Sequence, residues 1–300
     1  MSIVSIETQC RSRTALLTED AVIQAERVDA QPLISVVVAV FNGHATLQRC
    51  LDSVVGQTYP HTELIVIDGG SKDGTVQLLE ANRHKITYWI SEPDRGIYHA
   101  WNKALNVVQG DWVYFLGADD YFVDEHVLAR VASYLQNGTT GARVVYGLVN
   151  LVRTDGSVIA AFGEPWSRKK FMQVMTLPHQ GVFHHRSLFD RGGYNEEFRI
   201  AGDYELLLRE LKSRDPLFLA DTTIAAMQFG GMSSEGRKAV ETLQEFKRAR
   251  ELHGITSASP LWRWALIKAY VRRGVLQLFG QECARTVTNW YRRLTFRSSV

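Results

Sequence analysis

Four aspartates and one histidine stand where a side chain could do chemistry. Asp68 closes the apolar run ELIVID and is followed by Gly69, Gly70 and Ser71. An acid there can aim a carboxylate at a ligand's N–H or hydroxyl. Alternatively it folds back as an Asx turn, or caps a helix starting near Thr75. Asp119 and Asp120 follow the apolar stretch WVYFL. Adjacent carboxylates repel, and burial sharpens the repulsion. A hard divalent cation relieves it, and Mg²⁺ or Mn²⁺ held by one or two carboxylates normally holds substrate phosphates as well. The simpler use of the pair is a solvated turn with a capping residue. Asp203, in RIAGDYELLLRE, precedes an apolar helix over 204–211, where it serves as an N-cap or as a general base. His179, in TLPHQGVFHH, follows a proline in a loop; His184 and His185 carry no specific signal.

The elements that must position these residues are legible in the hydrophobic pattern. LISVVVAVFN (33–42) is a β-branched run without strict alternation, the pattern of a strand buried on both faces. A helix follows over 45–57, with Leu47, Cys50, Leu51, Val54 and Val55 on one stripe. Strands at 63–70, 86–92 and 111–116 alternate with helices at 75–82, 97–108 and 124–136. This β/α alternation predicts a parallel sheet with helices on both faces. In such sheets ligands bind at the carboxyl ends of the strands. Those ends here are Phe41-Asn42, Asp68-Gly69-Gly70-Ser71 and Gly117-Ala118-Asp119-Asp120. After about residue 140 the alternation fades into a hairpin (143–152 and 156–163), a helix near 203–214, a strand at 222–229 and a charged helix over 235–253. The Gly-Gly-Ser stretch lacks the Gly-Lys-Ser/Thr ending of a P-loop, and no GxGxxG follows the first strand, which disfavours a nicotinamide enzyme.

With 45% hydrophobic and 22% charged residues in 300, the chain is an ordinary globular one. Three scattered cysteines without a CxxC fit a reducing, cytoplasmic setting and argue against structural zinc. No secretory signal and no membrane-spanning run is recognisable. The net charge of +2 is unevenly spread. Residues 261–300 hold eight Lys/Arg against the single acid Glu282, which makes this segment +7 on a body of −5. With Trp262, Trp264 and Trp290, it reads either as an interfacial helix pair on an anionic membrane surface, at the inner face of the cell membrane, or as packed helices whose arginines snorkel. Basic residues confined to the tail disfavour nucleic acid as a partner.

Five segments together resemble the family-two glycosyltransferases of the GT-A fold, in the subgroup acting on bacterial cell-surface polysaccharides or glycolipids. They are ISVVVAVFNGHATLQRCLDSVVGQTYPHTELIVIDGGSKDGT, SEPDRGIYHAWNKAL, GDWVYFLGADD, LPHQGVFHHRSLFDRGGYNEEFRIAGDYELLLR and FGGMSS. The resemblance implies an α/β, mostly parallel nucleotide-sugar-binding sheet over 32–235, with a nucleotide half at about 32–122 and an acceptor half at about 123–235. An extension (1–31) and a basic helical tail (236–300) flank it. It implies nucleotide contacts by Ala39, Val40, Phe41, Asn42, Asp68, Asp94 and Asp119, and a Mn²⁺ or Mg²⁺ site at Asp119 and Asp120. It further implies a catalytic base at Asp203, a donor–acceptor cleft lined by His179 and Gln180, and a phosphate loop at Gly230, Gly231, Met232 and Ser233. Three positions depart from the family's pattern. Gly117 stands at the first acid of its D-x-D motif, His99 where the subgroup often has Asp, and Trp101 where other members have Arg.

The expected reaction is an inverting, metal-dependent transfer of a sugar from a nucleotide-diphosphate sugar to a hydroxyl of a cell-surface glycan or lipid-linked acceptor. The alternatives are a non-catalytic sugar-nucleotide-binding scaffold and a nucleotidyltransferase. The latter would be expected to carry a Gly- and basic-rich loop after the first strand, which FNGHATLQ lacks.

Overall fold

A computed structural model describes residues 31–136, 141–228 and 239–256, and beyond them 262–264, 266, 267 and 269–271. Residues 1–30, the Gly230–Ser233 loop and most of the basic tail lie outside the described residues.

The first strand, β1 (Ile34–Val40), has nearly every side chain buried, as its β-branched composition requires. Val36, Val38 and Val40 enter one apolar layer and Val37 the other, because successive side chains of a strand point to opposite faces. The first layer is completed by α1 (His44–Val55) and α4 (Val127–Gln136), the second by α3 (Ile97–Leu105), the short α5 (Arg168–Phe171) and α6 (Gly202–Leu211). Helix α2 (Thr75–Asn82) matches its expected span.

Strands β2 (Thr62–Asp68), β3 (Tyr88–Ser91) and β4 (Trp112–Gly117) join β1 in the parallel order β3-β2-β1-β4. The register pairs Val40 with Asp68, Asp68 with Ser91, and Ala39 with Gly117. All four strands therefore end at one edge. Next to β4 comes β8 (Val182–His185), antiparallel, then β6 (Val144–Val152), β9 (Leu217–Gln228) and the two-residue β5 (Tyr121–Phe122). Strand β7 (Val158–Phe162) pairs with β6 as the expected hairpin. The α/β class with helices on both faces is the one the sequence implies. The central place of β8 was not expected, because VFHH is too short and too rich in histidine to stand out as a buried strand. Being antiparallel to β4, it starts at the strand-end edge, so His179 and Gln180, just before it, lie beside the end of β4. The Tyr114 hydroxyl donates to the Gln180 carbonyl at 2.5 Å.

The last described helix of regular length is α7 (Ala239–Leu252), which packs on α6. No helix among the described residues is long and apolar enough to cross a membrane.

Candidate active site at the carboxyl edge of the sheet

Beyond β1 the chain turns sharply. Asn42 adopts a left-handed backbone (φ 51°), and its Oδ1 accepts the Lys72 N–H at 3.0 Å. This turn leaves the Phe41 ring 66% exposed, the most solvent-open large apolar side chain described. Gly69 is what lets Asp94 come close: a Cβ there would sit 2.5 Å from Asp94 Oδ2 and 3.3 Å from the Phe41 ring. Phe41, Gly69 and Asp94 thus converge, as an aromatic face beside a carboxylate. Asp68 lies beneath them, fully buried. Its Oδ2 accepts from Gly70 N (3.1 Å), Ser71 N (2.9 Å) and Ser91 Oγ (2.6 Å), and Ser71 Oγ donates to its Oδ1. Of its two simpler uses, the Asx-type turn is realised. The helix cap is not, since Gly74 precedes α2 and the Thr75 N–H is taken by Asp73 at 3.1 Å.

Asp119 and Asp120 fold back over Gly117. A Cβ at Gly117 would lie 2.4 Å from Asp120 Oδ2 and 3.1 Å from Asp119 Oδ1. Both carboxylates therefore reach the space that a side chain at the family's first acid would fill, which accounts for glycine at that position. Asp120 is 2% exposed. Burial, then the neighbouring Asp119 charge, pushes its carboxyl up to about 7. One of its oxygens accepts the Gln228 N–H at 2.9 Å. Neither acid caps a helix, because α4 begins only at Val127. No group of three or more His, Cys, Asp or Glu able to hold a metal occurs among the described residues. The pair fits a cation that takes its remaining ligands from phosphate and water.

Two residues of this corner carry no signal in the sequence. Arg49 Nη2 donates to the Asp119 carbonyl (3.0 Å) and to Gln228 Oε1 (2.8 Å), with its guanidinium 4.2 Å from the Tyr121 ring centre. Gln228 ends β9, immediately before the FGGMSS segment. Both sit in amphipathic patterns that look ordinary, and only the closed sheet brings them to Asp119.

Across the edge, Asp203 occupies the first turn of α6, while Ala201 is the residue before the helix. The N-cap reading is therefore corrected: the helix starts at Gly202, two residues earlier than the apolar stretch over 204–211. A Cβ at Gly202 would lie 2.7 Å from the Tyr98 ring, so glycine there admits that ring against the start of α6. Asp203 Oδ1 accepts the Tyr204 N–H at 2.8 Å, and Oδ2 lies 3.6 Å from His179 Nδ1. Burial raises the Asp203 carboxyl above its ordinary range, an effect that His179 partly offsets. Burial likewise holds His179 below the ordinary imidazole range, so it is neutral near pH 7. Its ring stacks on Trp101 at 4.8 Å, and neither of its nitrogens has a hydrogen-bond partner. A carboxylate with raised affinity for a proton, next to a neutral imidazole, is suited to take a proton from a hydroxyl.

In the tail, Trp262 is buried, with the Arg250 guanidinium 5.0 Å from its ring. Trp264, Ile267, Tyr270 and Val271 are exposed.

The family model described as Glycosyl transferase family 2 matches residues 35–198. An uncharacterized glycosyltransferase of Mycobacterium tuberculosis is 33% identical over 230 residues, covering 74% of this chain and 84% of the relative. A PGL/p-HBAD biosynthesis glycosyltransferase of Mycobacterium bovis is 29% identical over 211 residues, covering 68% and 80%. Among solved structures, the mannosyltransferase PcManGT from Pyrobaculum calidifontis, in complex with GDP-Man and Mn²⁺, aligns with a TM-score of 0.59 at 18% identity, covering 90% of this chain and 82% of that one. S. aureus TarS 1-349 in complex with UDP-GlcNAc aligns with a TM-score of 0.57 at 17% identity, covering 82% and 73%.

Proposed function

The chain belongs to glycosyl transferase family 2, and from that membership we propose that it transfers a sugar, with inversion at the anomeric carbon, from a nucleoside-diphosphate sugar to a hydroxyl of a cell-surface glycan or glycolipid. The observation that supports this reading is that two consecutive residues link two carboxylate systems: Gln180 hydrogen-bonds Asp120, and His179 faces Asp203. Asp119 and Asp120 lie at the end of β4, and Asp203 faces His179 at the start of α6.

The donor's nucleoside lies against Phe41 and Asp94, on the turn formed by Ala39, Val40 and Asn42 and anchored by Asp68. Its diphosphate reaches toward Asp119 and Asp120, which would hold Mn²⁺ or Mg²⁺. A divalent cation there supplies charge neutralisation for the departing diphosphate. Asp203 takes the acceptor hydroxyl's proton as the new C–O bond forms at the anomeric carbon and the bond to the diphosphate breaks. His179 and Gln180 line the acceptor side. A lipid-linked acceptor is the one we propose; one similar protein, of Mycobacterium bovis, is named for PGL/p-HBAD biosynthesis. With such an acceptor, the basic tail and the exposed Trp264, Ile267 and Tyr270 provide contact with an anionic membrane surface on its cytoplasmic side.

The test is Asp203→Asn, assayed with a panel of UDP- and GDP-sugars. The amide still accepts from Tyr204 but cannot take a proton at neutral pH. Turnover falls by ~10²–10⁴-fold, donor affinity is unchanged, and the melting temperature holds or rises because a buried charge is gone. Near-native turnover would remove Asp203 as the base.

A further inference from the structure

The segment that delivers Asp203 to the cleft is held from outside by α7, a helix beyond the last residue matched by the family model. No side chain of α6's own flank caps its N-terminus. Instead, Glu245 of α7 reaches three successive backbone groups just before it. Its Oε1 accepts the Arg199 N–H at 3.0 Å, and its Oε2 accepts those of Ile200 and Ala201, each at 2.8 Å. Consecutive N–H groups aimed at one point form a cradle for an anion, and here the anion is a side chain of the same protein. The hold continues on either side. Arg248, one turn on, donates to the Glu197 carbonyl at 3.3 Å and pairs with its carboxylate, while Phe246 packs on Tyr204 at 4.8 Å between ring centres.

We infer that Glu245 is a positioning residue for the transfer, an inference resting on Asp203 being the base. Its carboxylate sets the path of residues 199–201, and hence the place of Asp203, two residues further on. There Asp203 Oδ1 accepts its neighbour Tyr204's N–H, and Oδ2 faces His179. Lys247 and Glu251 of α7, by contrast, pair with each other on the exposed face at 3.6 Å.

The experiment compares Glu245→Ala, Glu245→Gln, Glu251→Ala and Asp203→Asn in the full chain. It measures nucleoside-diphosphate release from the most active of a set of UDP- and GDP-sugars, with kcat and donor KM separated. Amide hydrogen exchange is followed in peptides covering 199–201. Glu245→Ala is expected to lower kcat by ~10–10²-fold, the cost of a misplaced catalytic group, with donor KM within twofold and exchange protection lost at 199–201. Glu245→Gln keeps one accepting oxygen and turns its NH₂ toward a backbone N–H, so it falls between Glu245→Ala and the wild type. It decides the matter if the alanine variant does not fold. Glu251→Ala matches the wild type. Near-native kcat in both Glu245 variants beside an inactive Asp203→Asn would overturn the positioning role alone. A rise in donor KM equal to the loss in turnover would overturn it as well, by placing the effect on the nucleotide side. Near-native turnover in Asp203→Asn would overturn the base reading and this inference together.

Discussion

At the amino ends of β1 and β2, Ser35 and Glu63 are buried beside the Gly110 backbone and satisfy one another. Ser35 Oγ meets the Glu63 carboxylate, whose Oε1 also accepts from Gln109 N (2.7 Å) and Gly110 N (3.1 Å); Gly110 N donates to Ser35 Oγ as well, at 2.9 Å. At the carboxyl edge of the same sheet, comparable burial leaves polar atoms without partners: Trp101 Nε1, both nitrogens of His179, Tyr194 Oη, Arg49 Nε and Gln228 Nε2. Each such atom costs about 1–3 kcal/mol of desolvation if nothing meets it. The Ser35–Glu63 cluster is thus internally satisfied and the carboxyl edge is not; on the amino side His184, opposite Val113, is the exception, with neither ring nitrogen partnered.

The contrast is broken most severely by Asp119→Ala. Turnover should fall by about 10³-fold, Mn²⁺-dependent donor binding should disappear in a thermal-shift titration, and the melting temperature without ligand should stay within a few degrees. Full activity of the wild type in thoroughly chelated buffer would contradict the cation's place at this edge. Glu63→Ala is the counterpart at the amino edge. It strands the Gln109 N–H and the Ser35 hydroxyl, so unfolding free energy should drop by about 3 kcal/mol, read by urea denaturation, with kcat per folded molecule unchanged.

Two glycines sharpen the comparison further. A Cβ at Gly117 strikes only carboxylate ends, which can move, so Gly117→Ala should cost about tenfold in turnover and little stability. A Cβ at Gly110 lies 2.8 Å from the Leu33 carbonyl and the Ser35 nitrogen, backbone that cannot give way. Gly110→Ala should cost about 1–3 kcal/mol and leave turnover alone. Equal behaviour of the two variants would erase the distinction between the edges.

The smallest effect is a pH dependence. His184 is fully buried against Phe115, and burial, with His179 second, holds its imidazole down at about 3. A depressed folded-state value means that the unfolded chain takes up the proton first as pH falls. The stability associated with His184 is thus present above about 6.5 and is lost on acidification toward 3. Each unit in that window is worth about 1.4 kcal/mol. His184→Phe should flatten the decline in stability between pH 6.5 and 5.5 by about that amount, measured as the difference in unfolding free energy from the wild type. An unchanged slope would mean that His184 is not the group responsible.

Much of this molecule is legible in its sequence because its information is local. The β-branched runs at 34–40 and 62–68 are buried on both faces as their composition demands, and TVQLLEAN forms the helix its period indicates. The acids at the strand ends stand at one edge because parallel strands end together. Less legible were β8, masked by its two histidines, and the start of α6, where an apolar pattern locates a helix to within about two residues but not its first turn.

Composition and period alone determined the α/β class, the edge at which Asp68, Asp119 and Asp120 emerge, and the candidacy of Asp203 near the start of a helix. Which groups touch was decided only when the chain closed. Arg49 reaches Asp119 across 70 residues and Gln228 across 179, and Glu245 lies 44 residues from the Ala201 N–H it accepts. The physical reason is that hydrophobic periodicity is repeated within each element and so can be read there. The distance between two polar groups on separate elements is set once, by sheet register and helix packing, and leaves no repeating trace in either segment.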